Sequence, residues 1–242
     1  MIPLRDANPT TRWPYVTLAL IAINAAVFFL WQRGPLLGEP SRAQVEIWVC
    51  HGVSAMELSS LDVGPRVAQL CEGKSVVLSI FTSMFLHANL FHIAGNMLFL
   101  WIFGNNVEDR MGPLVYLLFY LASGVAAAYG QAVTEPGSAV PAIGASGAIA
   151  GVLGAYIVMF PRARVVSLVF LGFFVTVIEL PALVVLGVWA VFQAVSGLGS
   201  LTGPGGGGVA FFAHLGGFVF GLLVALLFYR RRREAVPRPL DY

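Results

Sequence analysis

Six apolar runs divide this chain, at about residues 15–31, 83–104, 113–133, 146–160, 181–199 and 210–229. Each but one approaches the roughly 20 residues that a bilayer-spanning helix needs. With 58% hydrophobic residues, 11% charged residues and a mean hydropathy of +0.82, the composition excludes an ordinary soluble domain. The expectation is an all-α membrane protein: a six-transmembrane-helix bundle whose fourth helix is short and starts inside the membrane. Residues 1–14 form an N-terminal tail, 15–229 the membrane domain with a long external loop at 32–76, and 230–242 a basic tail.

The first run follows Arg5 and Arg12 and lacks a small-x-small cleavage site, so it reads as a retained helix and not a secretory signal. An even number of spans puts both termini on one side. Arg5, Arg12, Arg110, Arg162, Arg164, Arg230–Arg233 and Arg238 then gather together, against Arg33, Arg42, Arg66 and Lys74 opposite. The positive-inside rule assigns both termini to the cytoplasm, as in a multi-pass protein of a bacterial inner membrane.

Three connections need separate readings. Loop 32–76 mixes charge with Ile47, Trp48, Val49 and Met56, as a segment does that folds onto the membrane surface or the helices; a loosely ordered cover is the alternative. It contains both cysteines, Cys50 and Cys71, for which a disulfide and two unpaired thiols are equally open. Residues 165–199 are too long for one span and are broken by Glu179-Leu180-Pro181, so a helix is expected to start near Pro181. Val165–Ile178 is then an apolar excursion at the cytoplasmic interface; were it a span, the count would be seven. Asp6-Ala7-Asn8-Pro9 and the tail after Arg230 read as short disordered ends, and Gly203–Gly208 as a flexible external connection.

Helical rise places the polar residues in depth. Ser146, in the small-residue turn Gly144-Ala145-Ser146-Gly147, lies 15 residues before Pro161, or roughly 22 Å above the cytoplasmic end of its helix. His214 precedes Arg230 by 16 residues, or roughly 24 Å. On the second run His92 is 13 residues from Asn105, roughly 20 Å, with Asn96 one turn deeper. All four groups occupy one slab below the outer surface.

Those depths assemble an acyl-transfer site. Ser146 Oγ is the candidate nucleophile and His214 the general base that returns the proton to the leaving amine. No acid lies at this level, so a dyad is implied. The Ser146 N–H, His92 and Asn96 are candidate oxyanion donors, the last two at i and i+4 on one helix face. A row of Ala213, Gly217 and Gly221 facing Gly147, Gly151 and Gly154 would let the two reactive helices approach closely. Taken singly, a serine in a Gly/Ala turn is more often a helix cap, and a buried His or Asn more often interhelical glue. Agreement of all four in depth favours a site.

At these residues the chain resembles the rhomboid family of intramembrane serine proteases. The resemblance runs through His87-Ala88-Asn89-Leu90-Phe91-His92-Ile93-Ala94-Gly95-Asn96 and Asn106-Val107-Glu108-Asp109-Arg110-Met111-Gly112. It continues in Gly144-Ala145-Ser146-Gly147-Ala148-Ile149 and in Ala213-His214-Leu215-Gly216-Gly217 with Gly221, and covers about residues 80–229. It implies a six-helix core that cleaves transmembrane or membrane-associated proteins near the external face, with Ser146 as nucleophile, His214 as base, and His92 and Asn96 on the oxyanion side. Glu108 matches a structural acid in the loop after the second helix, and His87 a second histidine on the water-accessible side. Two departures stand out. Ala150 replaces an aromatic residue that members often carry beside the histidine, so other contacts must orient His214. The external loop also lacks an obvious counterpart of a tryptophan–arginine pair.

A catalytically silent relative that binds membrane proteins is disfavoured because both dyad and both oxyanion positions are filled. A transporter is disfavoured because residues 15–133 and 146–229 show no internal repeat. A metalloprotease fails because no H-E-x-x-H spacing occurs. Neither a metal, a cofactor nor a nucleic-acid partner is expected; the implied partners are transmembrane protein substrates and the lipid bilayer.

Overall fold

The computed structural model describes residues 1–172, 174–202 and 209–229. The glycine-rich connection 203–208 and the basic tail 230–242, with the readings attached to them, lie outside the described residues.

The fold is mostly helical. Among the described residues, four helices are long and apolar enough to cross a membrane: Tyr15–Gln32, Pro113–Thr134, Ala182–Leu201 and Phe211–Phe228. The first comprises α1 (Tyr15–Ala26) and a π-helical extension, Val27–Gln32. The others are α8 (Pro113–Thr134), α10 (Ala182–Thr202) and α11 (Phe211–Phe228). Between them come the short helices α2 (Arg42–His51), α3 (Ala55–Ser60), α4 (Gly64–Leu70) and α5 (Val76–Ser83). A further rod is continuous through α6 (Leu90–Phe99), a π-helical stretch (Leu100–Gly104) and α7 (Asn105–Met111). The short helix is α9 (Ser146–Met159), 14 residues long.

The second apolar run does not begin its rod at residue 83. The chain leaves α5 at Ser83, turns, and restarts at Leu90 because the Asn89 side chain accepts the His92 N–H at 2.9 Å and caps α6.

The N-terminal strand and the connection between α9 and α10 correct the sequence reading. Asp6-Ala7-Asn8-Pro9 is not a disordered end: Ile2–Asp6 form a strand, β1, and the Ala7 N–H donates to the Arg164 carbonyl at 2.8 Å. Two strands, β4 (Arg164–Leu171) and β5 (Phe174–Pro181), pair with each other, and the sheet runs β1-β4-β5, all antiparallel. An all-α description therefore fails here. The run is rich in β-branched residues, Val165, Val166, Val169, Val175, Thr176, Val177 and Ile178, which suit a pleated surface better than a helix. Register pairs Val166 with Glu179 and Arg164 with Pro181, after which α10 begins at once.

Polar side chains of the N-terminal segment fasten it to the helices. Asp6 Oδ2 accepts from the Tyr156 hydroxyl at 2.7 Å and from Asn106 Nδ2 at 2.6 Å, and Asn8 Nδ2 donates to Asn106 Oδ1 at 2.7 Å. Burial raises the Asp6 carboxyl above its ordinary range, an effect partly offset by the Tyr156 hydrogen bond.

Loop 32–76 is ordered as well. Cys50 and Cys71 form a disulfide with Cα atoms 5.2 Å apart, resolving the open alternative in favour of pairing. Lys74 Nζ reaches Glu57 Oε1 at 2.6 Å and the Val49 carbonyl at 2.7 Å, an ion pair shielded from solvent. Short strands β2 (Val53–Ser54) and β3 (Pro141–Ala142) join this loop to the segment entering α9. The loop is thereby tied down beside the start of the serine helix.

Candidate active site

Helix α9 starts at Ser146, inside the folded mass, and no side chain caps it. Its first N–H groups therefore lack helical acceptors, as at any helix N-terminus, and the local dipole favours negative charge. The approach to the helix is fixed by Gly144, whose φ of +123° is foreign to other residues and whose N–H is held by the Ser83 carbonyl at 2.9 Å. A Cβ at 144 would stand 2.8 Å from His92 Nε2 and 3.5 Å from Ser146 Oγ. Glycine lets serine, histidine and backbone converge there.

Helix α11 supplies His214. Its Nε2 is 2.8 Å from Ser146 Oγ, so the equal depths counted along the sequence correspond to direct contact. The approach is made by backbone against backbone: a Cβ on Gly217 would collide with the Gly147 carbonyl, and one on Gly221 with the Gly151 carbonyl. On Gly154 a Cβ would strike the Phe218 carbonyl. The small-residue row thus acts where the sequence placed it.

Helix α6 contributes His92 and Asn96. The Ala88 N–H donates to His92 Nδ1 at 3.2 Å, so a neutral imidazole carries its proton on Nε2, the nitrogen turned toward Gly144. Asn96 is buried, and among the described residues its Nδ2 has no hydrogen-bond partner. Ser146, His214, His92 and Asn96 all line one cavity of about 970 Å³. Val45, Trp48 and Val49 of loop 32–76 line it too, with Phe99, Leu153 and Trp189 among its apolar walls.

The remaining sequence candidates divide. Gly144, Gly147, Gly217 and Gly221 belong to the site's frame. His87 does not reach the water-accessible side: it is completely buried, its ring edge-on to His92 with centroids 5.0 Å apart. Gln32 holds it there, accepting the His87 N–H at 3.0 Å and donating to the His87 carbonyl. Glu108 is neither in a loop nor near the site. It lies in α7, 16 residues or roughly 24 Å along the rod from His92. There it accepts from the N–H groups of Val16 and Thr17 at 2.9 and 2.8 Å and from the Thr17 hydroxyl at 2.8 Å, closing the start of α1.

One contact escaped the sequence reading. His214 Nδ1 is 2.8 Å from Gln193 Oε1 on α10, and the Trp189 ring, one turn earlier, lies 6.1 Å from the imidazole. These are the contacts that orient His214 where Ala150 supplies only a methyl group. Depth counting contained the signal, since Gln193 is 12 residues past Pro181, roughly 18 Å up its helix and near the Ser146 level.

Long apolar helices, with a serine and a histidine hydrogen-bonded in a cavity between them, define a multi-pass integral membrane protein with the parts of a nucleophilic site. The family model for the Rhomboid domain matches residues 74–231, well over half of the sequence, and the chain belongs to the rhomboid family. It is 30% identical over 151 residues to Rhomboid protein 1, mitochondrial, of Saccharomyces cerevisiae, covering 60% of this chain and 40% of that one. With the presenilin-associated rhomboid-like protein, mitochondrial, of Mus musculus it shares 31% over 157 residues, covering 64% and 35%. With Rhomboid protease GluP of Bacillus subtilis it shares 42% over 76 residues, covering 31% and 14%. The matches thus span two-fifths or less of these relatives' own lengths.

Proposed function

We propose that this chain is an intramembrane serine endopeptidase that cleaves transmembrane or membrane-associated proteins near the external membrane face with a Ser146–His214 dyad. The observation that carries this reading is the 2.8 Å contact between Ser146 Oγ and His214 Nε2 at a cavity also lined by His92 and Asn96. The protease named among its relatives supports it.

In the reaction, Ser146 Oγ bonds to the substrate carbonyl carbon while its proton passes to His214 Nε2. The carbonyl π pair moves onto oxygen, where the Ser146 N–H, His92 Nε2–H and Asn96 Nδ2–H can meet it. As the tetrahedral centre collapses, the C–N bond breaks and the Nε2 proton goes to the departing amine. Water, deprotonated by the same imidazole, then releases the acyl group and restores the serine.

The membrane core in this reading has six helices, the four long ones with the α6–α7 rod and α9. At 14 residues, α9 cannot cross about 30 Å of hydrocarbon, so Ser146 opens within the membrane beside a cavity that admits water. Both termini are cytoplasmic, which sets Ser146 toward the external leaflet. The susceptible bond lies beside small or helix-destabilising residues, because a stable helix shields its own carbonyls.

Purified protein and its Ser146→Ala variant, assayed on a model transmembrane substrate, test the assignment. Cleavage and fluorophosphonate labelling by the wild type alone are expected. Equal labelling of both would remove Ser146 from its role, and product termini on the cytoplasmic side would overturn the orientation.

A further inference from the structure

Helix α10 turns most of its apolar side chains outward: Val191, Phe192 and Val195 are all exposed on its surface. Gln193, like Val185 and Leu186 two turns earlier, is buried, and it faces His214. An amide taken out of water is costly unless it is paired, and Gln193 has a specific partner in the imidazole. The two ring nitrogens of His214 are thus engaged at equal distance from opposite sides, Nδ1 by Gln193 Oε1 and Nε2 by Ser146 Oγ, each at 2.8 Å.

This pairing bears on catalysis. A neutral imidazole has one N–H and one bare nitrogen, and which is which is set by the partner of the other nitrogen. Gln193 Oε1 can only accept. Its contact therefore requires the proton on Nδ1 and leaves Nε2 bare, the form able to take the serine proton. The opposite tautomer would present an N–H to Ser146 and could not act as base. Trp189, four residues earlier on the same helix face, lies against His214 at 6.1 Å and against Phe218 at 5.9 Å, which limits rotation of the ring.

We propose that Gln193 is a positioning residue that holds His214 in the productive tautomer and orientation, making the unit Ser146–His214–Gln193 where the sequence implied a pair. The inference rests on the protease reading above. Gln193 takes no proton at any step: when Nε2 is protonated, Nδ1–H stays donated to Oε1, and the carbonyl dipole faces the charge formed on the ring. A mere interhelical tie between α10 and α11 would stabilise the fold without selecting a tautomer.

Three variants and one spectrum test it. Gln193→Leu, which keeps the volume but removes the acceptor, should lower kcat about 10- to 100-fold with KM unchanged, the effect of losing one buried hydrogen bond that matters in the transition state. Gln193→Glu, which can still accept from Nδ1–H, should restore most of that loss. Ser146→Ala in the same assay should abolish cleavage and probe labelling; if it does not, the protease reading fails whatever Gln193 does. If Ser146→Ala is inactive but Gln193→Leu keeps full kcat, or Gln193→Glu is as impaired as Gln193→Leu, the role of Gln193 is overturned and the dyad stands. The ¹⁵N spectrum of the wild-type histidines in micelles is independent of how any variant folds. A protonated Nδ1 and bare Nε2 on His214 are expected, and a protonated Nε2 would overturn the proposal.

Discussion

Replacing Asn96 by leucine should change activity and stability in opposite directions. The side chain is buried at the wall of the cavity, and among the described residues its Nδ2 has no hydrogen-bond partner, so its replacement breaks no protein hydrogen bond at that atom. An unsatisfied buried donor costs about 1–3 kcal/mol. Leucine repeats the branching of asparagine without a polar atom, and the adjoining cavity takes up its larger methyl groups, so Asn96→Leu should hold or raise stability by up to that amount. The same donor, if it meets the oxyanion, is worth about 2.7–4 kcal/mol in the transition state, a fall of 10²–10³ in kcat. Thermal unfolding in detergent micelles gives the first number, and steady-state cleavage of a model transmembrane substrate gives the second. Joint loss of stability and activity would mean that Asn96 supports packing. A rise in KM with kcat unchanged would make it a substrate contact.

Ser146→Ala and His214→Ala should each abolish cleavage, with the double variant no worse than either single one; losses that multiply in turnover assays would argue against a shared proton transfer. Glu108→Gln should cost about 2–4 kcal/mol in thermal unfolding, because a buried carboxylate that accepts from Val16, Thr17 and the Thr17 hydroxyl is replaced by an amide that turns donors toward donors; an unchanged melting temperature would contradict that arrangement. Asp6 binds its proton more tightly folded than unfolded, so the stability it contributes is full below its ordinary value of 3.8 and is lost as pH rises through the raised folded value. Amide exchange of Ile2–Asp6 should follow that trend in the wild type and lose it in Asp6→Asn; identical pH profiles would refute the linkage.

The site was more legible in the sequence than the fold around it. Ser146, His214, His92 and Asn96 could be assigned one level because a helix converts residue count into depth at a fixed rise, and lipid confines unpaired polar groups to few places. Residues 164–181 lacked such a ruler. In a chain this apolar, hydropathy does not distinguish a strand from a helix, and the third strand comes from Ile2–Asp6, about 160 residues earlier. Pairing at that range is a tertiary fact, as are the bonds from Asp6 to Tyr156 and Asn106. Glu108 was expected in a loop because the second apolar run stops at Gly104, whereas the rod continues past it into α7. Gln193 was passed over for a related reason: an amide inside an apolar run reads as packing until the partner of His214 is sought.

Reading glycine as packing and serine as chemistry separates two things that this molecule joins. The distance between Ser146 Oγ and His214 Nε2 is set by how closely α9 and α11 approach, and that approach is limited by Gly217 against the Gly147 carbonyl and Gly221 against the Gly151 carbonyl. One methyl group at either contact must push the helices apart, and displacements near 1 Å are enough to cost about a hundredfold in rate when reacting groups are misplaced. The same contacts account for stability, since helix association in lipid rests on close packing and not on exclusion of water. A serine and a histidine 68 residues apart in sequence therefore become partners through atoms that neither possesses. The small-residue row sets the Ser146–His214 contact as much as it builds the fold.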